Sequence, residues 1–284
     1  MWHHTENRGG KPEPGKWEKV ISTIHANFRG GELAAPCAWQ MVAMIPKGRV
    51  TEFRGIGLVE ILWKAVSGII HLWLLYSIQF HGVPHGFCVG IGMGTATLKA
   101  NLLQNIIAIR ETFLHAIFLD LRKTYDSLDR GLCLYILAGY VVGTGTILIL
   151  QMYWVRLQMA GKAGVHYGPE LQSHRGVTQG YLLSPTIFNV LIDAVIRQWM
   201  TVVGGTKEGS GREGLGMSTQ DLSSLFYANG GLGVLPGIAR LQGAFDVLMV
   251  IFDRVGLRTN KGKKISMECR PFHIPHAWPI EAYT

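Results

Sequence analysis

Residues 116–126, AIFLDLRKTYD, decide how the rest of the chain is interpreted. The apolar run at their start is typical of a buried strand, and it leads to a carboxylate, Asp120, and then to Tyr125. A carboxylate at the end of a buried strand is held rigidly and still reaches solvent, and Mg²⁺ prefers oxygen ligands of this kind. On this stretch alone, the alternative is that Asp120 caps a helix that begins just after the strand.

Three further segments follow this stretch in a fixed order. Residues 175–189 read RGVTQGYLLSPTIFN, residues 226–232 read FYANGGL, and residues 256–263 read GLRTNKGK. Together with FLDLRKTYD at 118–126, they resemble the successive catalytic motifs of reverse transcriptases, which are RNA-directed DNA polymerases. The variety resembles that of non-LTR retroelements and group II introns, and the resemblance runs from about residue 44 to residue 271.

The resemblance implies an α+β fold: the fingers and palm of a right-hand polymerase, with an antiparallel palm sheet flanked by helices. It divides the chain into a disordered lead over 1–19, a fingers-like region over 20–115, a palm-like region over 116–271 and a tail over 272–284. The glycine-rich stretch 203–219 is predicted to be a flexible insertion. The thumb that usually follows the palm is expected to be absent, so the chain is interpreted as a truncated and degenerate copy.

The same resemblance assigns roles to individual residues. Asp120 would be a ligand of Mg²⁺ or Mn²⁺ in a two-metal polymerase site, and Tyr125 would lie under the sugar of the incoming nucleotide. The residues that would contact nucleotide or template are Tyr125, Lys47, Arg54, Gln179, Gly180 and Lys263. The partners implied are an RNA template and a DNA primer.

The third motif departs from the family pattern where the chemistry is most demanding. In place of two aspartates the chain has Asn229 and Gly230. An asparagine offers an oxygen without charge, and a glycine offers no side chain. Loss of a single well-placed electrostatic contact costs about 3–4 kcal/mol of barrier, so we expect the chain to be catalytically inactive or nearly so. Asn-Gly is also a good hairpin turn, so the fold is expected to survive the change.

Two other stretches carry structural expectations. Residues 162–175 are predicted to be a basic, turn-rich link between the first two motifs. In the second motif, Tyr181 stands where relatives have a small or acidic residue, and it is expected to crowd the template base. Near the C-terminus, Lys261, Lys263 and Lys264 are expected to contact phosphate or to form a solvated turn.

Charge and cysteine content bound the function further. The net charge of +8 suits a polyanionic partner, which leaves a nucleic-acid-binding module without catalysis as an alternative function. The four cysteines form no C-x-x-C pair, which fits free thiols in a reducing compartment. We therefore expect an intracellular protein, either nuclear or cytoplasmic.

Residues 131–155 contain no Asp, Glu, Lys or Arg, and their length is sufficient for a transmembrane helix. A membrane protein that spans at this segment is therefore the remaining alternative. Gly139, Gly143 and Gly145 divide the segment into two shorter pieces, which favours a packed pair of helices. A real span would also place Asp120 and Gln179 near opposite membrane faces, where they could not form one site.

Overall fold

The fold is mixed α+β, and the strands of the described residues form two sheets. The computed structural model describes Ser22 and residues 33, 35–46, 53–80, 86, 92–110, 114–140, 142–204, 224–227, 230–235, 238–260 and 265–269. The strands are β1 (Trp39–Pro46), β2 (Phe53–Val59), β3 (Leu114–Arg122), β4 (Gln158–Ala163), β5 (His166–Gln172), β6 (Ser224–Tyr227), β7 (Gly230–Leu235), β8 (Arg258–Thr259) and β9 (Ile265–Cys269). A 3-10 helix, Ala35–Ala38, precedes the helices α1 (Ile61–Ser77), α2 (Met93–Arg110), α3 (Thr124–Ser127), α4 (Arg130–Gly139), α5 (Thr144–Arg156), α6 (Leu183–Gly204) and α7 (Ile238–Arg254).

Strand β3 is the centre of the larger sheet. β7 pairs with one of its edges, β8 and β9 pair with the other, β6 pairs with β7, and every pairing is antiparallel. Ile117, Leu119 and Leu121 are buried, whereas Phe118 between them is 39% exposed. Because side chains alternate along a strand, one face of β3 packs into the core and the other is open. This is the antiparallel palm sheet that the sequence predicts.

Helices α6 and α7 cover the closed face of this sheet. Trp199 of α6 and Leu241 and Phe245 of α7 meet Ile117 and Leu119 of β3 around a small apolar cavity. The α6 sequence is buried along most of its length, including Ile187, Leu191 and Ile196. A helix that is apolar almost all round belongs in a core, and α6 therefore fixes the position of the palm sheet.

The second sheet has the strand order β2-β1-β4-β5, in which β1 and β4 are parallel. The prediction of a turn-rich link over 162–175 is wrong for most of its length, because β4 and β5 form an antiparallel hairpin there. Every residue of β5 is exposed, so it lacks the apolar alternation that reveals a strand in a sequence. Gly164, at a φ of +62°, makes the turn.

Residues 131–155 form two helices, α4 of 10 residues and α5 of 13 residues. The break between them falls in the glycine-containing stretch, as the packed-pair interpretation predicts. The carboxylate of Asp129 caps α4 by accepting from the Leu132 backbone N–H at 3.0 Å. No helix within the described parts of the chain is long and apolar enough to cross a membrane.

Candidate functional site

Asp120 lies within β3, on the open face of the palm sheet. Its backbone C=O accepts from the Asn260 N–H at 2.7 Å, and the Asn260 amide Nδ2 lies 3.4 Å from Oδ2 of the Asp120 carboxylate. The alternative that Asp120 caps a helix is wrong, because Lys123 holds the position before α3 and has a left-handed φ of 49°. The contact from Asn260 was not predicted, although this residue is the asparagine of the fourth motif.

Gly230 is the cross-strand partner of Asp120. It also pairs with Tyr227, so it already belongs to strand β7. The expectation that Asn229 and Gly230 together make the hairpin turn is therefore wrong, since strand pairing begins at Gly230. A Cβ atom at position 230 would lie 3.5 Å from the Tyr227 carbonyl oxygen and 3.9 Å from that of Leu119, which is ordinary contact. This position has room for a side chain beside Asp120.

The donors at this end of the sheet do not fit a two-metal site. Such a site needs carboxylates that clamp two cations roughly 4 Å apart. Here Asp120 is joined by a glycine at 230 and by the Asn260 amide, whose nitrogen points at the carboxylate. Across the described residues, no three His, Cys, Asp or Glu side chains lie together in a way that could hold a metal ion.

The second-motif loop, residues 173–182, docks against the turn that follows β3. The Val177 N–H donates to the Tyr125 carbonyl at 2.7 Å, and the Gly176 N–H donates to the Leu128 carbonyl at 2.8 Å. Gly176 has a φ of +78°, and a Cβ atom there would lie 2.6 Å from the Tyr125 carbonyl oxygen. Only glycine combines this backbone conformation with so close an approach.

Arg130, the first residue of α4, anchors the same loop from below, and sequence reasoning missed it. Its guanidinium is buried and donates to the Gly176 carbonyl at 2.7 Å, to the Trp154 and Arg175 carbonyls at 3.1 Å each, and to the Ser173 carbonyl. Burial lowers the pKa of Arg130 to about 10, so the side chain remains a cation at neutral pH. In the sequence, Arg130 follows Asp129 at the start of a helix, and this pattern does not indicate that the arginine anchors a distant loop.

The other end of the loop contacts the β1–β2 strands. The Gly57 N–H of β2 donates to the Gln179 carbonyl at 2.8 Å, and the Thr178 hydroxyl donates to the buried Gln40 side chain at 2.6 Å. Gly180 has a φ of +95°, and a Cβ atom there would lie 2.7 Å from Cγ2 of Ile56. The loop therefore joins the first-motif turn to the second sheet.

Side chains on the loop and turn differ in what they can reach. The Gln179 side chain donates to the Asp126 carboxylate at 3.2 Å, on the surface. The Tyr125 ring packs against Phe188 with ring centroids 5.5 Å apart, and burial raises the pKa of its phenol. Arg54 lies exposed on β2. Of the residues predicted for the site, Lys47, Asn229 and Lys263 lie outside the described residues, as do Lys261 and Lys264 of the basic cluster.

Tyr181 does not crowd the template side of the loop. It is 6% exposed and lies in the core beside Trp63 and Tyr153, whose rings stack at 3.9 Å. Burial raises the pKa of the Tyr181 phenol well above its ordinary value. The expectation of a clash with a template base is therefore wrong, because the loop turns this side chain inward.

The order of the motifs and the palm topology agree with a comparison of sequences. The family model described as reverse transcriptase (RNA-dependent DNA polymerase) matches residues 45–274. The chain belongs to the reverse transcriptase family. No curated protein matches it in sequence.

Solved telomerase structures share the fold of this chain. An apo telomerase from Candida tropicalis, truncated from its C-terminal domain, has a TM-score of 0.60 at 13% identity and covers 89% of this chain and 55% of its own. A Candida albicans telomerase in complex with a TWJ fragment of telomeric RNA has a TM-score of 0.59 at 12% identity, with 88% and 46% covered. At these identities the likeness shows the fold alone, and the chain spans about half the length of these proteins.

Proposed function

We propose that this chain is a nucleic-acid-binding reverse transcriptase domain that has lost polymerase catalysis. The observation that supports this most directly is the cross-strand pairing of Asp120 with Gly230. The residue beside the Asp120 carboxylate therefore has no side chain that could bind a metal. The docked second-motif loop and the net charge of +8 support retained binding. The strands bound would be an RNA template and a DNA primer.

The proposal gives each site residue a role. Asp120 is the remaining contact for Mg²⁺ or Mn²⁺, with metal binding impaired by the changes at Asn229 and Gly230. Nucleotide and template contacts fall to Lys47, Arg54, Tyr125, Gln179, Gly180 and Lys263.

The proposal also covers domain organisation, origin and location. The fingers-like region is 20–115 and the palm-like region is 116–271, although the second sheet contains strands from both. We further propose that the chain derives from a retroelement of the non-LTR or group II type and acts in the nucleus or cytoplasm.

Electrostatics explain why the two substitutions matter so much. In phosphoryl transfer the protein supplies position and charge stabilisation rather than covalent chemistry. Without carboxylates at 229 and 230, the chain would bind less tightly the cations that would neutralise the developing negative charge. A loss of at least about 4 kcal/mol of stabilisation corresponds to a rate lower by about a thousandfold or more.

Primer extension on an RNA template tests the proposal, with Mg²⁺ and Mn²⁺ assayed separately. The original chain is compared with the double variant Asn229→Asp, Gly230→Asp and with the same double variant carrying Asp120→Ala. We expect extension by the double variant alone, because position 230 has room for a side chain beside Asp120. Robust synthesis by the original chain would overturn the loss of catalysis. Filter binding of the same primer–template by the original chain tests the retained binding separately.

A further inference from the structure

Two arginines lie directly opposite each other at the end of the palm sheet. Arg122 of β3 is the cross-strand partner of Arg258 of β8, and both side chains are exposed. Like charges directly opposite each other destabilise an antiparallel pair. Within the part of the chain that the structure describes, neither guanidinium forms an ion pair. The arrangement therefore lacks the acidic partner that would offset the repulsion.

The arginine pair lies on the same open face as Asp120. Arg122 follows Asp120 by two residues, so the two side chains point the same way about 7 Å apart along the strand. Arg258 shares that face because cross-strand partners point to the same side. Asn260, two residues beyond Arg258, contacts the Asp120 carboxylate. The pair thus borders the carboxylate that polymerase chemistry would use.

The sign of charge at this place is the reverse of what a metal site requires. With Asn229 and Gly230 in the third motif, two arginines share the open face of β3 and β8 with the Asp120 carboxylate. Lys123, the residue after Arg122, is also exposed and adds to the positive charge. This balance disfavours a second cation and favours an anion.

We propose that Arg122 and Arg258 form an anion site that holds a backbone phosphate of a bound nucleic-acid strand without a metal ion. Planar guanidinium groups match phosphate oxygens in paired hydrogen bonds. This inference rests on the proposed function, which supplies the bound strand. Carboxylates at 229 and 230 would have repelled the phosphate that we assign to the two arginines.

Aromatic side chains on the same open face as the pair favour a strand over a free phosphate. Phe118 and Tyr227 are 39% and 36% exposed. Both lie on the open face, since Phe118 is two residues from Asp120 and Tyr227 pairs with Gly230. Proteins that bind single strands combine positive charge with aromatic surfaces on which bases stack. The open face presents both within one short stretch of sheet.

Fluorescence anisotropy with a labelled single-stranded oligonucleotide in EDTA tests the site. A salt titration compares the original chain with Arg122→Gln, Arg258→Gln, the double variant and Arg240→Gln. Arg240 is a matched control, because it is exposed on α7, which packs against the closed face. We expect the slope of log affinity against log salt to fall by about 0.7 for each of the two site arginines, and to stay unchanged for Arg240→Gln.

The other outcomes discriminate among failures. No binding of the oligonucleotide by the original chain would overturn this inference, whereas filter binding of the primer–template decides the proposed function separately. Binding by the original chain that the double variant retains with an equal slope would overturn only the phosphate site. If an equal concentration of inorganic pyrophosphate displaces the oligonucleotide, the two arginines bind a free phosphate compound. That result would overturn the proposal that they hold a nucleic-acid strand. A thermal midpoint of the double variant at or above that of the original chain shows that the fold is retained.

Discussion

The second-motif loop and the β6–β7 pair contribute to the same candidate site, and they differ in what supports them. The loop, residues 173–182, is bonded through buried groups to Arg130, Tyr125 and Gln40. At β7, Gly230 pairs with Asp120 across the strands and has no side chain. A Cβ atom at position 230 would make only ordinary van der Waals contacts. The loop positions are needed for the fold, whereas the carboxylates at β7 would be needed only for chemistry.

If catalysis is lost as we propose, this difference explains why the polymerase fold persists. Buried polar groups must find partners whether or not the protein is an enzyme, because an unsatisfied buried donor or acceptor is destabilising. Clustered carboxylates repel one another in the absence of metal, so their loss relieves strain. Substitutions therefore remove the charge of the site more readily than its framework.

Removal of the anchor under the loop gives the largest expected effect. In Arg130→Leu, the carbonyl groups of Trp154, Ser173, Arg175 and Gly176 lose a buried donor. We expect the free energy of unfolding, measured by urea denaturation, to fall by about 4 kcal/mol. The matched control is Arg156→Leu, which removes one bond, to the Leu33 carbonyl, and is expected to cost about 1 kcal/mol. Similar losses in the two variants would show that the Arg130 network is not special.

A second substitution that should destabilise the loop is at Gly176. In Gly176→Ala, the new Cβ atom would approach the Tyr125 carbonyl oxygen to 2.6 Å in a left-handed backbone. We expect a loss of about 3 kcal/mol in the same urea assay. Gly164→Ala has a similar φ of +62° but no atom within 4 Å, so it isolates the conformational cost of about 1–2 kcal/mol. Equal destabilisation in both would mean that the close approach does not matter.

The variant Gly230→Asp tests whether a carboxylate on β7 affects metal binding rather than the fold. Two carboxylates opposite each other across the strands should destabilise the protein by about 0.2–1 kcal/mol without metal. Added Mg²⁺ should then raise the thermal midpoint of this variant, because a cation that binds the folded state stabilises it. The midpoint of the original chain should respond less. The variant Gly230→Asp, Asp120→Asn serves as the control, and an equal Mg²⁺ response from it would contradict a shared site.

The smallest expected effect concerns the packing of α1 on α6, away from both regions. Nδ1 of the His71 ring lies 2.6 Å from the Thr186 hydroxyl oxygen, and burial lowers the pKa of His71 below its ordinary 6.5. The unfolded chain therefore takes up a proton at a higher pH than the folded protein does. Stability present above pH 6.5 is lost as the pH falls toward the lowered pKa.

Urea denaturation at several pH values checks this prediction. The variant His71→Gln should show a weaker loss of stability on acidification below pH 6.5 than the original chain. His174→Gln, at an exposed loop position, is the control and should follow the original chain. A His71→Gln profile identical to that of the original chain would remove His71 from the account of α1–α6 packing.

The sequence predicted those elements whose apolar pattern reports directly on burial. Strand β3 carries such a pattern, and the division of 131–155 into two helices followed from its glycines. β5 was missed because all of its residues are exposed, so the strand is held by backbone pairing with β4 and leaves no periodic signal. Propensity alone decides little in that situation.

At the site, motif order located Asp120 and its neighbours in the chain but not their contacts. Register decides that Gly230 is a strand residue, and one shift of register would turn every side chain to the other face. Tyr181 points inward because the loop docks, and Arg130 finds its acceptors in segments distant along the chain. Such contacts depend on tertiary packing, so they cannot be predicted from the identity of each residue alone.

The position of β3 in its sheet has a consequence for synthesis on the ribosome. The strand ends at Arg122, whereas its neighbours β7, β8 and β9 lie far behind it, and β9 ends at Cys269. At about 5–20 residues per second, the last neighbour emerges roughly 7–30 seconds after β3. Both edges of this apolar strand are unpaired until β7 emerges, and the second edge stays unpaired until β8 and β9 follow, which is the condition that invites aggregation. The segment that carries Asp120 is therefore the part of the palm sheet that waits longest for its strand partners during synthesis.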